Sequence, residues 1–179
     1  EYHFEYPIAV EISVQPSIIV NTSLIPGNTF SINISIIQAV DIYAWSLNMK
    51  WDPVLLSVID VKEGSFLNQG SYNTTFVTYL DQEEGSLYAN CSLFEELPEA
   101  SASGNRTLMS ITFHVEALGI TVLDLYDTKL IGYGGIEVSH ITKDGYFKNS
   151  GVQYPSAFAI SVQPSDIIDA FLLPGNTFS

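Results

Sequence analysis

Short runs in which apolar and polar residues alternate cover most of this chain. Phe30, Ile32, Ile34 and Ile36 alternate with Ser31, Asn33 and Ser35, and Tyr43, Trp45, Leu47, Met49 and Trp51 alternate with Ala44, Ser46, Asn48 and Lys50. Further on, Leu87, Ala89, Cys91 and Leu93 alternate with Ser86, Tyr88, Asn90 and Ser92, and Met109, Ile111, Phe113 and Val115 leave His114 on the opposite face. A period of two is that of a strand with one face buried and one wet. The pattern predicts strands over residues 30–36, 43–51, 86–94 and 108–115, and shorter ones over 55–61, 75–80, 121–125, 128–131, 136–141 and 145–147. The opening strand, residues 9–14, is interrupted by Gln15-Pro16 before residues 17–21 resume it. Proline cannot donate to a ladder, so this strand is expected to be split, at an edge, or switching between sheets. Turns are expected at Pro26-Gly27-Asn28, Asp52-Pro53, the acidic run Asp81 to Gly85, and Gly132 to Gly135, with a polar loop over residues 95–105. No window sustains a period of 3.6, although residues 94–102 could form one turn of helix. Many short strands without helices predict an all-β fold, an antiparallel β-sandwich. Trp45, Leu47, Met49, Ile32, Ile34, Met109, Ile111 and Phe113 are its expected shared core.

The opening words of the chain return at its end. Ile12-Ser-Val-Gln-Pro-Ser and Pro26-Gly-Asn-Thr-Phe-Ser recur 148 residues later as Ile160-Ser-Val-Gln-Pro-Ser and Pro174-Gly-Asn-Thr-Phe-Ser, and 17 of the 26 residues from Tyr6 to Ser31 are identical in the second copy. The repeat length is that of a domain. Residues 1–150 are therefore expected to form one module. Residues 151–179 are expected to hold a linker and the first strands of an incomplete or exchanged second copy. Two strands without the rest of their sandwich are marginal in water. The apolar residues Phe158, Ile160, Val162, Ile167, Ile168, Phe171, Leu172 and Leu173 of that segment are accordingly expected to pack on a neighbouring subunit, in a head-to-tail homopolymer that need not close.

Charge narrows the partners. Six Lys and Arg against 20 Asp and Glu leave a formal charge of −14 with no basic stripe, which argues against nucleic acid and anionic membrane surfaces. No run of eighteen apolar residues is present, so no helical membrane insertion is expected within this segment. The chain opens on Glu1-Tyr-His-Phe-Glu without the features of a signal peptide, so any export signal has been removed or lies upstream. Five of the ten asparagines, Asn21, Asn33, Asn73, Asn90 and Asn105, begin N-x-Ser/Thr acceptor sequons. They point to a secreted, cell-surface glycoprotein carrying N-linked glycans, with Asn33, Asn73, Asn90 and Asn105 exposed.

Chemistry is sparse. The single cysteine, Cys91, is expected as a small buried core residue. His3, His114 and His140 lie far apart without metal-ligand spacing, and the acidic pairs Glu83-Glu84 and Glu95-Glu96 read as solvated turns. No nucleophile elbow or glycine-rich phosphate loop is present. No enzyme, cofactor or metal site is expected.

The order of strand words resembles a known family. Gly27-Asn-Thr-Phe-Ser-Ile-Asn-Ile-Ser-Ile is followed by Ala44-Trp-Ser-Leu-Asn-Met-Lys-Trp-Asp-Pro-Val-Leu-Leu-Ser-Val, then Lys62-Glu-Gly-Ser-Phe-Leu, Leu108-Met-Ser-Ile-Thr-Phe-His-Val, Gly119-Ile-Thr-Val-Leu-Asp-Leu and Asp144-Gly-Tyr-Phe. Over residues 10–147 this set resembles the cohesin domain, most closely the cohesin-like modules of archaeal surface proteins. The resemblance implies a jelly-roll sandwich of about nine strands that binds through one sheet face and is not an enzyme. Three functions are compatible with it: a structural or adhesion module of a surface assembly joined by exchanged C-terminal strands, a receptor module for a dockerin-like protein partner, and a carbohydrate-binding module using exposed Tyr or Trp.

Overall fold

The computed structural model describes residues 9–69, 72–94 and 101–151. Within them ten strands and one short 3-10 turn follow one another: β1 Val10–Gln15, β2 Ile18–Val20, β3 Thr29–Lys50, β4 Leu56–Glu63, β5 Thr74–Asp81, β6 Ser86–Leu93, β7 Ala102–Val115, β8 Ile120–Gly132, the turn Tyr133–Gly135, β9 His140–Lys143 and β10 Gly145–Lys148. The long strand β3 belongs to two layers. Its first half pairs antiparallel with β1 and β7, and its second half pairs antiparallel with β6 and β8. One layer therefore runs β9–β1–β3–β7–β4 and the other β2–β10–β8–β3–β6–β5. The result is the all-β sandwich expected from the alternation, with the jelly-roll architecture that the resemblance implies.

Where the sequence pattern suggests two strands, residues 30–36 and 43–51, the structure has one. The alternation lapses between them because Gln38 and Asp41 sit at left-handed φ values of 58° and 52° and turn the strand from one layer into the other. Bending there takes backbone donors out of the ladder, and β7 supplies side-chain acceptors for them. Asn105 Oδ1 accepts the Gln38 N–H at 2.7 Å, and Ser103 Oγ accepts the Asp41 N–H at 2.9 Å.

Three other boundaries differ from expectation. Residues 121–125 and 128–131 are a single strand, β8, whose register against β3 shifts between Ser46 and Asn48 and whose Asp127 has φ of 46°. Two residues, Asp127 and Thr128, face Leu47 alone, which is a β-bulge. Of the expected strand 136–141, which follows the 3-10 turn, only an isolated bridge from Glu137 to Ile131 and the start of β9 at His140 are formed. The expected loop 95–105 is shorter, because β7 begins at Ala102. At the opening strand, Gln15-Pro16 divides β1 from β2, and the chain switches layers there. Both pieces pair in parallel with late strands, β1 with β9 and β2 with β10.

The eight residues assigned to the core from their alternation are all buried. Aromatic rings join the layers: Trp51 meets Phe113 edge-on at 5.4 Å, and Phe30 stacks on Phe147 at 4.9 Å. Trp51 Nε1–H donates to the Leu56 carbonyl at 2.9 Å, so the indole enters the interior without an unpaired donor. After β4, Gly64 N–H donates to the Leu108 carbonyl at 2.8 Å and Phe66 N–H to the Thr107 carbonyl at 3.0 Å, which delivers Phe66 and Leu67 into the core. At the far end, Asn149 is a buried polar cross-link. Its Oδ1 accepts from Gly119 N–H at 2.7 Å, and its Nδ2 donates to the Leu24 and Ala117 carbonyls at 2.8 and 3.1 Å.

Candidate binding face

The two outer faces of the sandwich differ in chemistry. On the β9–β1–β3–β7–β4 layer, Ser31, Asn33 and Ser35 of β3 lie beside Ser110, Thr112 and His114 of β7, and Ser57, Asp60 and Lys62 of β4 lie beyond them. These groups bond to one another. Ser31 Oγ and Thr112 Oγ1 are 2.9 Å apart, Ser110 Oγ donates to Asn33 Oδ1 at 2.6 Å, and Lys62 Nζ lies 2.9 Å from Asp60. Ser57 and His114 both bond Glu116. The Ser57 hydroxyl first, and His114 second, hold the Glu116 carboxyl below the usual carboxylate range. Across β3, β7 and β4 this face is dominated by small polar groups, most of them bonded to one another, with Ile141 exposed on β9 at its edge.

The opposite face carries a row of tyrosines. Strand register places Tyr126 of β8, Asn48 of β3, Tyr88 of β6 and Tyr79 of β5 side by side across four strands. Tyr79 is 68% exposed, and its ring stacks on that of Tyr88 at 6.1 Å and 26°. Beside the row, the β8 bulge raises one wall of a pocket of about 440 Å³ lined by Ser46, Asn48, Tyr88, Asp127, Thr128 and Lys129. The side chains of Ser46, Asn48, Asp127 and Lys129 have no hydrogen-bond or ion-pair partner among the described residues. Thr128 Oγ1 lies 2.7 Å from His140 Nε2, and His140 Nδ1 lies 2.9 Å from the Val138 carbonyl. A carbonyl only accepts, so Nδ1 carries the ring proton, Nε2 takes the Thr128 hydroxyl proton, and the Thr128 oxygen keeps its lone pairs for the pocket. Toward the β2 edge, register rows Ile18–Tyr146–Val122 and Val20–Lys148–Ile120 form an apolar flank whose four aliphatic side chains are exposed.

The sequons do not converge. Asn33 stands exposed on the self-satisfied face, Asn73 is exposed just before β5, and Asn21 is exposed just after β2 with its Oδ1 accepting Ser23 N–H at 2.9 Å. Asn105 is exposed at the β3 corner. Asn90, expected to be exposed, is instead half-buried on the tyrosine face, where its Nδ2 donates to the hydroxyl of Tyr88, two residues back on the same strand, at 3.1 Å. The eight C-terminal residues from Phe158 to Leu173, as well as His3 and the Glu95-Glu96 pair, lie outside the described residues. Asp81 Oδ1 accepts the N–H groups of both Glu83 and Glu84 at 3.1 Å, so the acidic turn is closed by its own aspartate. Among the described residues no three His, Cys, Asp or Glu side chains group closely enough to hold a metal ion.

Outward alternation marks Ser46, Asn48 and Tyr88 only as solvent-facing. The pocket residues Asp127 and Lys129 were not singled out by pattern at all. The available signal was the lapse in alternation across Tyr126-Asp127-Thr128-Lys129, which is where the bulge lies.

Residues 14–148 match the family model of the cohesin domain. Among solved structures, the fold is similar to the non-cellulosomal cohesin of the hyperthermophilic archaeon Archaeoglobus fulgidus, with a TM-score of 0.65 at 18% identity over 82% of this chain and 94% of that one. It is similar to a type II cohesin domain from the cellulosome of Acetivibrio cellulolyticus, with a TM-score of 0.63 at 18% identity over 79% and 94% of the two chains. It is also similar to a chain of the Coh-OlpA–Doc918 type I cohesin–dockerin complex of Clostridium thermocellum, with a TM-score of 0.64 at 16% identity over 79% and 99%. No sequence among curated proteins is similar to it.

Proposed function

Since the chain belongs to the cohesin domain family, we propose that it is a non-catalytic receptor module that holds a partner protein against the β8–β3–β6–β5 face. The observation that carries this reading is the asymmetry of the two outer faces. One face spends its polar groups on each other, whereas the other offers stacked and exposed tyrosines, unpaired polar side chains and an aliphatic flank. Tyrosine is enriched at the anchoring centres of protein interfaces, and an apolar strip bordered by polar groups is what a protein partner covers. The C. thermocellum relative named above forms a cohesin–dockerin complex, which supports a protein partner for this chain too. The full chain, used to capture proteins from the secretions of its own source, is expected to retain one partner. Tyr79→Ala, Tyr88→Ala and Tyr126→Ala together are expected to release it, while Ser31→Ala with Thr112→Ala keeps it. Retention unaffected by the tyrosine changes would sink the assignment of the face.

A second reading rests on the repeated sequence: self-assembly through residues 152–179, whose words copy those of residues 4–31. We place the module on the outside of the cell, with glycans on the exposed sequons, and treat the segment as a strand donor to a neighbouring copy. The test is sedimentation of the full chain. Concentration-dependent polymers that Ile160→Asp with Val162→Asp abolishes support it, and a monomer at all concentrations refutes it.

A further inference from the structure

We propose that the pocket beside the β8 bulge is a binding site for a neutral saccharide unit. Several observations converge on this. The first is shape: about 440 Å³ lies at the small end of the range, about 300–1,000 Å³, in which proteins hold small ligands. The second is the wall. Tyr88 lines the pocket while its ring is stacked on Tyr79, so the aromatic surface offered to a ligand is braced from behind and costs little side-chain entropy to use. The C–H face of a pyranose packs on such a ring by burying apolar area, and its hydroxyls remain at the ring edge.

The third observation is the hydrogen-bonding inventory. Asn48 offers an amide that donates and accepts, Asp127 a carboxylate that accepts, Lys129 three donors, Ser46 a hydroxyl, and Thr128 an oxygen whose own proton is held by His140. A polyol with adjacent hydroxyls, each both donor and acceptor, matches a mixed set of this kind. A purely anionic or purely apolar ligand does not. One carboxylate and one ammonium balance at the rim, and the −14 charge of the whole chain disfavours acidic sugars, which leaves neutral ones. The bulge is what builds the site. Without the extra residue, Asp127 and Thr128 would not both face Leu47, and the lip beside Asn48 would be flat sheet.

The pocket lies on the proposed docking face and shares Tyr88 with it, but Asp127 belongs to the pocket alone and tells the two apart. Sugar binding can fail while docking persists, and the converse holds as well. The test is titration of the isotope-labelled full chain with methyl glycosides of glucose, galactose, mannose and N-acetylglucosamine and with their short oligosaccharides, followed by amide chemical shifts. At least one is expected to shift the amides of Ser46, Asn48, Tyr88, Asp127 and Lys129 saturably, with a dissociation constant on the order of 1 mM. Asp127→Gly removes the carboxylate at a left-handed position that glycine adopts freely, so the bulge survives, and it is expected to weaken binding at least about tenfold. Tyr88→Ala is expected to do the same, whereas Ser31→Ala on the opposite face leaves affinity unchanged. Absence of any saturable shift at these amides, or shifts that persist in both Asp127→Gly and Tyr88→Ala, overturns the proposal.

Discussion

Burial, then the charge of Glu63 and the 3.5 Å hydrogen bond to it, push the Cys91 thiol up from 9.0 to about 12. The folded chain therefore keeps its thiol proton at pH values where an unfolded chain has lost it. The stability this contributes is complete below pH 9.0 and is lost as the pH climbs toward 12. Denaturant unfolding across that window is expected to fall more steeply for the natural chain than for Cys91→Ala. At pH 8 the native thiol is expected to resist iodoacetamide until denaturant is added. Asn149 makes a second prediction at this scale. Asn149→Ala strands the Gly119 N–H and the Leu24 and Ala117 carbonyls, and is expected to lower unfolding free energy by about 3 kcal/mol, read from urea denaturation. The inward position of Cys91 was legible because its neighbours alternate. Asn149 was not, since an asparagine between a strand and a Gly/Ser linker reads as solvent-facing, and only the two loops that meet around it, β2–β3 and β7–β8, give it an interior role.

Strands were legible where a single layer holds them and misread where they cross or swell. Residues 30–36 and 43–51 looked like separate strands because alternation is a property of one flat surface, and at Gln38 and Asp41 the strand leaves that surface. The same reasoning divided β8 at its bulge. Gly64 makes this scale testable. It lies so close to the Thr107 carbonyl that an added Cβ would collide with backbone, which cannot swing aside as a side chain would. Gly64→Ala is expected to destabilise by at least about 2 kcal/mol and to loosen Phe66 and Leu67, visible as a lower thermal midpoint and faster exchange of the Phe66 amide, which donates to the Thr107 carbonyl. At the corner, Asn105→Ala removes the acceptor for the Gln38 N–H and is expected to cost about 1 kcal/mol. A glycan on Asn105 Nδ2 would leave that acceptor, Oδ1, in place.

For the whole molecule, the layered β architecture could be read from the chain because both layers obey the same period of two. The binding face could not, because outward positions alternate on both faces, and only the register across strands separates a row of tyrosines from a carpet of hydroxyls. Peptide mapping of material from the natural source is the check on the glycans. The exposed Asn33, Asn73 and Asn105 are expected to carry added mass and the tethered Asn90 to stay bare, and the reverse order would contradict the role given to the Asn90–Tyr88 bond. The parallel pairs β1–β9 and β2–β10 have a mechanical meaning as well. Strands from the beginning of the module run alongside strands from its end and point the same way. Tension applied through the two ends of the module therefore drags each pair past its neighbour, loading all its hydrogen bonds together rather than peeling them one at a time. Tension across the β5–β6 hairpin would instead open its antiparallel ladder from one end. Stretched end to end in a single-molecule experiment, the module is expected to hold to a higher force than when pulled from residues 74 and 93.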